Sequence, residues 1–458
     1  MIRRNVGRLL SVALSIWVSA GATTIRAEEG ADWASFGRDP GGSQHSPLTQ
    51  IDVRNVKQLQ RVWTYRTGDF IDAPYPKGTV SQSIALHANH TLYICTPFNR
   101  VIALDPTTGH ERWSFDPHKP DPKTGRPALS PPLAMASRCR GVAYWPAPAI
   151  DGAPVSSAAH ATNAAAAAES AVPCRKRIFK NAEGARVYAL DADTGVLCAD
   201  FGAAKGHGGY VTHNDYENHG ESFAGSATAP PAVLGDVVIS GMSVNDGVAN
   251  AKDGMVRAFD VRTGELRWEF DPIPPEQREV TGAANVWSTI SVDPQRNLVF
   301  LPTTSPSTDY YGGGRRFDIP LANSIVALDG ATGKVVWSRQ VVHHDLFDYD
   351  LVGHPLLVDI VRDGTRVPAA LLQTKMGWLY GFERGSGRPL WPIIDRPVPK
   401  TDVPGDVASE TQPVPLGMAP FAHQTLTRDS LFGLTPIDRY ACQRKFDALR
   451  YDGMYTPP

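Results

Sequence analysis

One short pattern recurs five times along this chain of 458 residues and constrains its fold more than any other feature. Each copy combines an apolar stretch with an acidic turn that ends in glycine, and every copy except the second places a tryptophan four residues beyond that glycine. The pattern predicts a β-hairpin in which the glycine adopts a positive φ and the tryptophan covers the apolar face of a neighbouring hairpin. The copies occupy residues 101–109, 187–195, 256–264, 325–333 and 379–387.

Hairpins that cannot bury their own apolar faces have to stack on one another, and repeated strands throughout predict an all-β protein of the β-propeller type. A propeller blade takes roughly 40 to 50 residues, so the wider intervals between copies leave room for loop insertions. We expect one insertion at residues 146–173, which are poor in bulky apolar side chains. A second loop region is expected at residues 392–415, where six prolines discourage regular strands.

The N-terminus has the pattern of an export signal. Arg3, Arg4 and Arg8 precede the apolar residues 9–20, and small residues follow. We therefore predict that residues 1–27 form a signal peptide, with cleavage after Ala22 or Ala27 left open, and a short uncleaved anchor as the alternative. No other segment approaches about 18 apolar residues, so no transmembrane segment is expected in the mature chain, residues 28–458.

Charge and cysteine content narrow the possible partners. The net charge of −2 gives no electrostatic reason to expect nucleic acid or an anionic membrane surface as a partner. Five cysteines are an odd number, so at least one is unpaired within the chain. Their spacing suggests neither a covalent haem site nor a zinc site.

The densest group of titratable side chains lies in residues 341–350, shortly after the fourth hairpin. Two histidines, three aspartates and two aromatic residues occur within these ten positions. Polar residues on a loop that a rigid sheet carries are often functional, which makes this loop the first candidate for an active site. A solvated turn is the alternative, since histidine and aspartate are ordinary turn residues.

Several further motifs occur in a fixed order along the chain. They are the tryptophan-ending repeats and residues 33–38, 91–96, 139–142, 140–145 and 343–350. Taken together, these motifs resemble the pyrroloquinoline quinone (PQQ) dehydrogenases. This resemblance covers essentially everything from Trp33 onward, and within the family it is strongest to the membrane-bound glucose and quinate dehydrogenase branch. It implies an eight-bladed propeller with PQQ and a divalent cation near its axis, usually calcium, with magnesium as another candidate.

The resemblance assigns the chemistry to two residues. Asp345 matches the catalytic base, which would accept the hydroxyl proton as the alcohol gives up hydride. Lys375 matches the cation beside the quinone oxygens. Asp246 and Asp345 match metal ligands, and carboxylate oxygens suit calcium better than zinc.

Four further residues match cofactor contacts. Arg140 matches the arginine that meets a PQQ carboxylate, a role that suits the forked guanidinium. Trp287 matches the indole beneath the planar cofactor, and Thr228 and Ser243 match other PQQ contacts. Ordinary surface or packing roles remain the alternative for each of these residues and for Lys375.

The chain also departs from the family pattern. Gly247 stands where the glucose-oxidising branch tends to carry asparagine, and Trp145 stands where that branch usually has histidine. Residues 303–305 occupy the region that supplies a further metal contact in relatives. Relatives also have about two more blades beyond the position of Pro458, so we expect a propeller that lacks about two C-terminal blades. A fragment, a ring completed by a second chain and a decaying copy are the alternatives.

These features predict a periplasmic PQQ-dependent dehydrogenase. It would oxidise a sugar, cyclic polyol or alcohol by hydride transfer to PQQ and pass electrons to a quinone or a soluble acceptor. The alternative is a non-catalytic propeller scaffold or an inactive fragment of such an enzyme, because one fold can host unrelated functions.

Overall fold

The computed structural model describes residues 32–71, 79–119, 138–146, 174–216, 226–249, 251 and 254–458. The predicted signal peptide, residues 1–27, lies outside the described residues. So does the predicted insertion, apart from Pro146 at its start.

Twenty-one strands in the described residues form six sheets, and every pairing is antiparallel. Four sheets have four strands each, and their strands pair in chain order. The first contains β1 (Leu86–Ala88), β2 (Thr91–Cys95), β3 (Val101–Leu104) and β4 (Glu111–Phe115), and the second contains β5 (Ala143–Trp145), β6 (Arg177–Ala182), β7 (Arg186–Asp191) and β8 (Tyr210–Thr212). The third contains β9 (Ala232–Leu234), β10 (Val237–Ser240), β11 (Val256–Asp260) and β12 (Leu266–Phe270), and the fourth contains β13 (Ser291–Asp293), β14 (Leu298–Pro302), β15 (Ser324–Asp329) and β16 (Val335–Gln340).

The last two sheets are smaller. The fifth contains β17 (Leu356–Arg362), β18 (Thr365–Gln373) and β19 (Leu379–Glu383), and the sixth contains β20 (Ile393–Pro397) and β21 (Thr411–Pro415). The prediction of a loop region at residues 392–415 is therefore wrong at both ends of that range, because β20 and β21 pair with each other despite their prolines. The α-helix α1 (Pro436–Asp447) begins at Thr435, whose side chain accepts the Asp438 N–H while Asp438 accepts the Thr435 N–H, so both ends of a capping box are present. The predicted all-β class is confirmed, whereas the total of eight blades stays a prediction. No helix in the described part of the chain is long and apolar enough to cross a membrane.

Tryptophans join consecutive hairpins, as the repeat predicts. In the first such contact, the Trp113 ring lies against Gly195 and its Nε1 donates to the Ala192 carbonyl at 3.1 Å. Trp63, which precedes the first repeat, makes the same contact with Gly109 and was not recognised from the sequence. The arrangement recurs for Trp268 with Gly333 and for Trp337 with Gly387.

The second hairpin is the exception, because Ala199 replaces its tryptophan. A Cβ atom on Gly264, the turn glycine of the next hairpin, would lie 2.6 Å from the Val211 Cγ1 instead of meeting an indole. The second and third sheets therefore pack through smaller side chains, and Phe201, Val211 and Phe259 belong to one buried cluster between them.

We predict that Gly333→Ala lowers the free energy of unfolding by about 2 to 4 kcal/mol. The glycine has φ +69°, and a Cβ atom would lie 2.7 Å from the Trp268 ring, so the substitution combines backbone strain with overpacking. Gly364→Ala is the matched control, because its φ is +75° and nothing lies within 4 Å of its Cβ position. Denaturant unfolding should give a loss of about 1 kcal/mol for the control. Equal losses for the two variants would show that the Trp268 contact contributes nothing to stability.

The topology brings two connections of each four-stranded sheet to one end of the sheets. Neighbouring strands run in opposite directions, so the connection between the second and third strands of a sheet leaves from the same end as the connection to the next sheet. We call this end the loop end. Its connections in the later sheets are residues 241–255, 271–290, 303–323, 341–355 and 374–378.

Candidate active site

All seven predicted site residues lie in connections at the loop end, although 235 positions separate the first from the last. Alternating strand direction alone explains why residues so far apart in sequence share one end of the molecule. The seven are Arg140, Thr228, Ser243, Asp246, Trp287, Asp345 and Lys375.

Three of the predicted cofactor contacts touch one another. The Arg140 guanidinium lies over the Trp287 ring, 4.9 Å from its centroid, and Arg140 Nη1 donates to Thr228 Oγ1 at 2.6 Å. Burial lowers the pKa of Arg140 to about 10, and nearby Arg138 contributes in the same direction. No carboxylate among the described residues forms an ion pair with Arg140. A half-buried guanidinium in this position is suited to an anionic group that arrives from outside the chain.

A second set of contacts leads from the same indole to the predicted lysine. Trp287 Nε1 donates to Asp350 Oδ2 at 3.0 Å, and Lys375 Nζ lies 3.6 Å from that oxygen. Lys375 Nζ also donates to Asp348 Oδ1 at 2.9 Å. Burial opposes the charged form of Lys375, but Asp350 and Asp348 outweigh it and raise the pKa of the ammonium group. The indole therefore has a guanidinium over its face and a carboxylate and an ammonium group at its Nε1 edge.

Asp345 is enclosed by its own loop. Its side chain is 1% exposed, and its carboxylate accepts hydrogen bonds from the Ser305 hydroxyl, from Asn323 Nδ2 at 2.9 Å and from the N–H groups of Phe347 and Tyr349 at 2.9 and 2.8 Å. Burial raises the pKa of Asp345, and these hydrogen bonds act in the opposite direction. Both carboxylate oxygens are engaged within the protein. The base and metal-ligand roles of Asp345 stay predictions, and its contacts are those of a group that fixes the shape of the loop.

Arg315 stabilises the same loop through hydrogen bonds to main-chain carbonyl groups. It is 2% exposed, and its Nη2 donates to the carbonyl oxygens of Asp345 and Thr308. Sequence analysis did not identify this residue, since a single arginine in a long connection carries no recognisable signal.

Asp348 is the open carboxylate of the loop. Its side chain is 35% exposed, lies beside Lys375, and accepts a hydrogen bond from the Tyr310 hydroxyl at 3.3 Å. The residue has φ +56°, a conformation that aspartate adopts more readily than most side chains. A molecule that enters at the loop end can therefore reach this carboxylate, which sequence analysis did not single out.

Two further carboxylates lie close together beside this loop. Asp246 and Asp309 are close enough for each charge to act on the other, and Asp309 Oδ1 is buried with no hydrogen-bond partner in the described part of the chain. Burial and the charge of Asp246 raise the pKa of Asp309 to about 7, and burial and Asp350 raise the pKa of Asp246. A hard cation would satisfy the unpaired oxygen and offset the repulsion between these acids. Asp309 was missed because an aspartate in a turn resembles an ordinary solvated residue.

The donor set fits calcium or magnesium, although the protein contributes few converging ligands. Asp246 and Asp309 offer carboxylate oxygens, and the Asn245 Oδ1 lies 3.7 Å from the position of a Cβ on Gly247. An amide oxygen is therefore present beside Asp246 even though Gly247 itself has no side chain. Elsewhere in the described residues, three candidate ligands converge only at Cys174, Cys198 and Asp200, and this cysteine pair forms a disulfide.

Among the described residues, Ser243 forms no hydrogen bond with another predicted site residue. Its main chain pairs with that of Ser226, with N–H to carbonyl distances of 2.8 and 3.1 Å. This pairing places Ser243 at the loop end, three residues before Asp246. Its predicted contact with PQQ stays a prediction.

Fold and site together define a tryptophan-docked β-propeller that holds a half-buried guanidinium, an indole and an acidic cluster at one end. Residues 33–458 match the PQQ-dependent family described as glucose/ethanol/alcohol dehydrogenase, beta-propeller domain, and the chain belongs to this family. The predicted family is confirmed.

Curated relatives and a solved structure agree with this membership. The chain is 36% identical over 448 residues to the quinate/shikimate dehydrogenase (quinone) of Acinetobacter baylyi, a match that covers 94% of this chain and 52% of that protein. It is 33% identical over 445 residues to quinoprotein glucose dehydrogenase A of Acinetobacter calcoaceticus, covering 93% and 53%. The fold is similar to that of the quinohemoprotein alcohol dehydrogenase of Comamonas testosteroni, with a TM-score of 0.59, 21% identity, and coverage of 84% of this chain and 52% of that one. The chain spans about half the length of the curated relatives it matches.

Proposed function

We propose that the protein is a periplasmic PQQ-dependent dehydrogenase that oxidises a CH–OH group of a sugar, cyclic polyol or alcohol. Electrons would pass to a quinone or a soluble acceptor. The observation that carries this proposal is Arg140 above Trp287, with Asp350 and Lys375 at the edge of the same indole. Similarity to relatives named for quinate, shikimate and glucose supports the class of substrate.

The periplasmic location is supported by the N-terminal pattern and by two disulfides. The pairs are Cys95–Cys139 and Cys174–Cys198, and Cys442 is exposed and unpaired. Disulfides persist in oxidising compartments and are rare in the cytosol. Export and disulfide bonding thus point to the same compartment.

The residues fit PQQ, a planar quinone that carries carboxylates. Arg140 would bind a carboxylate, Trp287 would lie against the flat ring system, and Lys375 would face the quinone oxygens. When bound, PQQ supplies the carbonyl group that accepts the two electrons of the alcohol. The protein would supply position, charge and a place for the proton.

We assign the base role to Asp348 rather than to Asp345. Asp348 is accessible from the loop end and lies 2.9 Å from Lys375 Nζ, whereas both oxygens of Asp345 accept hydrogen bonds within the protein. A base has to come within hydrogen-bond distance of the hydroxyl proton that it removes. Asp348 would accept this proton, with Lys375 providing the compensating charge, and Asp345 would keep the loop in shape.

A divalent cation held by Asp246 and Asp309 would complete the site. It would polarise an oxygen of the acceptor and stabilise the negative charge that develops there. Calcium is the first candidate, because it tolerates irregular sets of oxygen ligands, and magnesium is the second.

We predict that calcium binding strengthens about tenfold between pH 6 and pH 8. Protons compete with calcium for Asp309, whose pKa is raised to about 7, so the competition disappears as the pH rises through that value. Asp309→Asn should weaken calcium binding more than tenfold at pH 8 and remove the pH dependence. Isothermal titration at the two pH values measures both effects.

Asp363→Asn serves as the control for this prediction, because Asp363 is an exposed turn residue with a side-chain exposure of 95%. It should bind calcium as the wild-type protein does at both pH values. If the wild-type protein bound calcium equally well at both pH values, or if Asp309→Asn bound calcium as the wild-type protein does, Asp309 would not belong to the cation site.

Dye reduction tests the proposed activity. Purified protein is mixed with PQQ and calcium, and dye reduction is followed with glucose, quinate and short alcohols as separate substrates. The proposal predicts reduction that depends on PQQ and on at least one of these substrates. Failure to take up PQQ would contradict the proposal and would favour a non-catalytic propeller.

A further inference from the structure

A disulfide lies directly beside the arginine of the candidate cofactor site. Cys95 and Cys139 are joined across 44 positions with a Cα–Cα distance of 6.0 Å, and the two residues are only 4% and 3% exposed. Cys139 immediately precedes Arg140 in the chain. The covalent link therefore reaches the main chain one residue away from the guanidinium that faces Trp287.

The two ends of this disulfide differ in how firmly they are held. Cys95 is the last residue of β2, a strand paired with β1 and β3 in the first sheet. Arg140 lies before β5, which begins at Ala143, and its carbonyl accepts one hydrogen bond in the described part of the chain, from the Ile84 N–H at 3.2 Å. The disulfide thus ties a segment outside the sheets to a strand in the middle of one.

We infer that the Cys95–Cys139 disulfide is a positioning element that holds Arg140 over Trp287 and thereby sets the affinity for PQQ. The inference rests on the proposed function, since PQQ is the anion that Arg140 would meet. An arginine side chain has many rotamers. If the side chain becomes ordered only when a ligand binds, the lost conformational entropy weakens binding. A fixed main chain at Cys139, together with the Thr228 hydroxyl, leaves Arg140 ordered before the cofactor arrives.

The second disulfide provides a matched control. Cys174 and Cys198 have a Cα–Cα distance of 5.7 Å and are 24 positions apart. Cys174 precedes β6 and Cys198 follows β7, where its N–H donates to the Ala189 carbonyl at 2.9 Å. Neither cysteine neighbours a candidate site residue in sequence. Its loss should affect stability in the same way without moving Arg140.

The test compares Cys95→Ala/Cys139→Ala with Cys174→Ala/Cys198→Ala. Both proteins also carry Cys442→Ser, which removes the exposed thiol and prevents thiol exchange. Melting temperatures and PQQ dissociation constants, the latter from quenching of tryptophan fluorescence, are measured for each full-length protein. Both variants should melt at lower temperatures, but only the first should bind PQQ about tenfold or more weakly.

A double-mutant cycle shows whether the disulfide acts through Arg140. In an Arg140→Gln background, loss of the Cys95–Cys139 pair should change the PQQ dissociation constant by less than about twofold, because the group that the disulfide positions is already absent. An equal loss of affinity in both backgrounds would overturn the inference. So would wild-type affinity in the Cys95→Ala/Cys139→Ala variant, or an equal loss in the control pair.

A further experiment covers the case in which the first variant does not fold. If Cys95→Ala/Cys139→Ala does not fold, the folded Cys174→Ala/Cys198→Ala protein is titrated with PQQ before and after reduction of its remaining disulfide, well below the melting temperature. Reduction should then weaken PQQ binding about tenfold, and unchanged binding would overturn the inference. A wild-type protein that binds no PQQ would overturn both this inference and the proposed function, whereas PQQ binding that ignores the disulfide would overturn the inference alone.

Discussion

Asp348→Asn is expected to reduce kcat about a thousandfold while leaving the dissociation constant for PQQ within about threefold of the wild-type value. Asparagine preserves the shape of the side chain but cannot accept the hydroxyl proton as a carboxylate does. Its amide oxygen can still receive the hydrogen bond from Lys375 Nζ, so the local structure should survive. Steady-state dye reduction with saturating PQQ, together with fluorescence titration of PQQ, separates the two quantities.

Asp345→Asn should behave differently. The Asp345 carboxylate accepts four hydrogen bonds, and an amide group cannot accept all of them, so buried donors would lose their partners at about 1 to 3 kcal/mol each. The expected result is a lower melting temperature, with substantial turnover per folded molecule. A normal melting temperature combined with abolished turnover in Asp345→Asn, and normal turnover in Asp348→Asn, would return the base role to Asp345.

Arg140→Gln is expected to weaken PQQ binding about 30- to 100-fold. A hydrogen bond to a charged group is worth about 1.5 to 3 kcal/mol, and the neutral amide also leaves a cofactor carboxylate without its charge partner. Arg140→Lys should give an intermediate affinity, because it keeps the charge and loses the fork that binds a carboxylate through two N–H groups. Fluorescence titration of PQQ measures all three proteins.

Arg366→Gln is the control for the arginine series. The Arg366 side chain is 76% exposed, and the residue lies at the start of β18, whereas the loop end follows the last residue of that strand. It should bind PQQ with wild-type affinity. If Arg140→Gln also bound PQQ normally, Arg140 would have no part in cofactor binding, and its position over Trp287 would be a packing contact.

The fold was largely predictable because the information is local. The turn glycine and the tryptophan four residues beyond it predict a hairpin and its docking surface, and the structure places Trp113, Trp268 and Trp337 on the next glycine as expected. Trp63 was missed because no glycine-ended turn precedes it, although it docks on Gly109 in the same way. A contact between residues 46 positions apart leaves no periodic signal.

The sequence predicted which loops form the site, but it did not predict how individual side chains are oriented within them. Arg140, Thr228, Trp287 and Lys375 were identified through family resemblance, and strand topology explains why they share one end. The choice between Asp345 and Asp348 depends on which side chain the loop turns inward. That orientation follows from positive φ values at His344 and Asp348 and from buried partners in other connections, none of which appears in the local sequence.

The central claim is that these loops bind PQQ between Arg140 and Lys375, with the cofactor plane against Trp287. A crystal structure of the full chain grown with PQQ and calcium tests it most directly. The account predicts one PQQ molecule at the loop end, with a carboxylate at the Arg140 guanidinium, its quinone oxygens facing Lys375 and a cation at Asp246 and Asp309. PQQ bound at any other surface, or a loop end that stays empty at saturating PQQ, would contradict it.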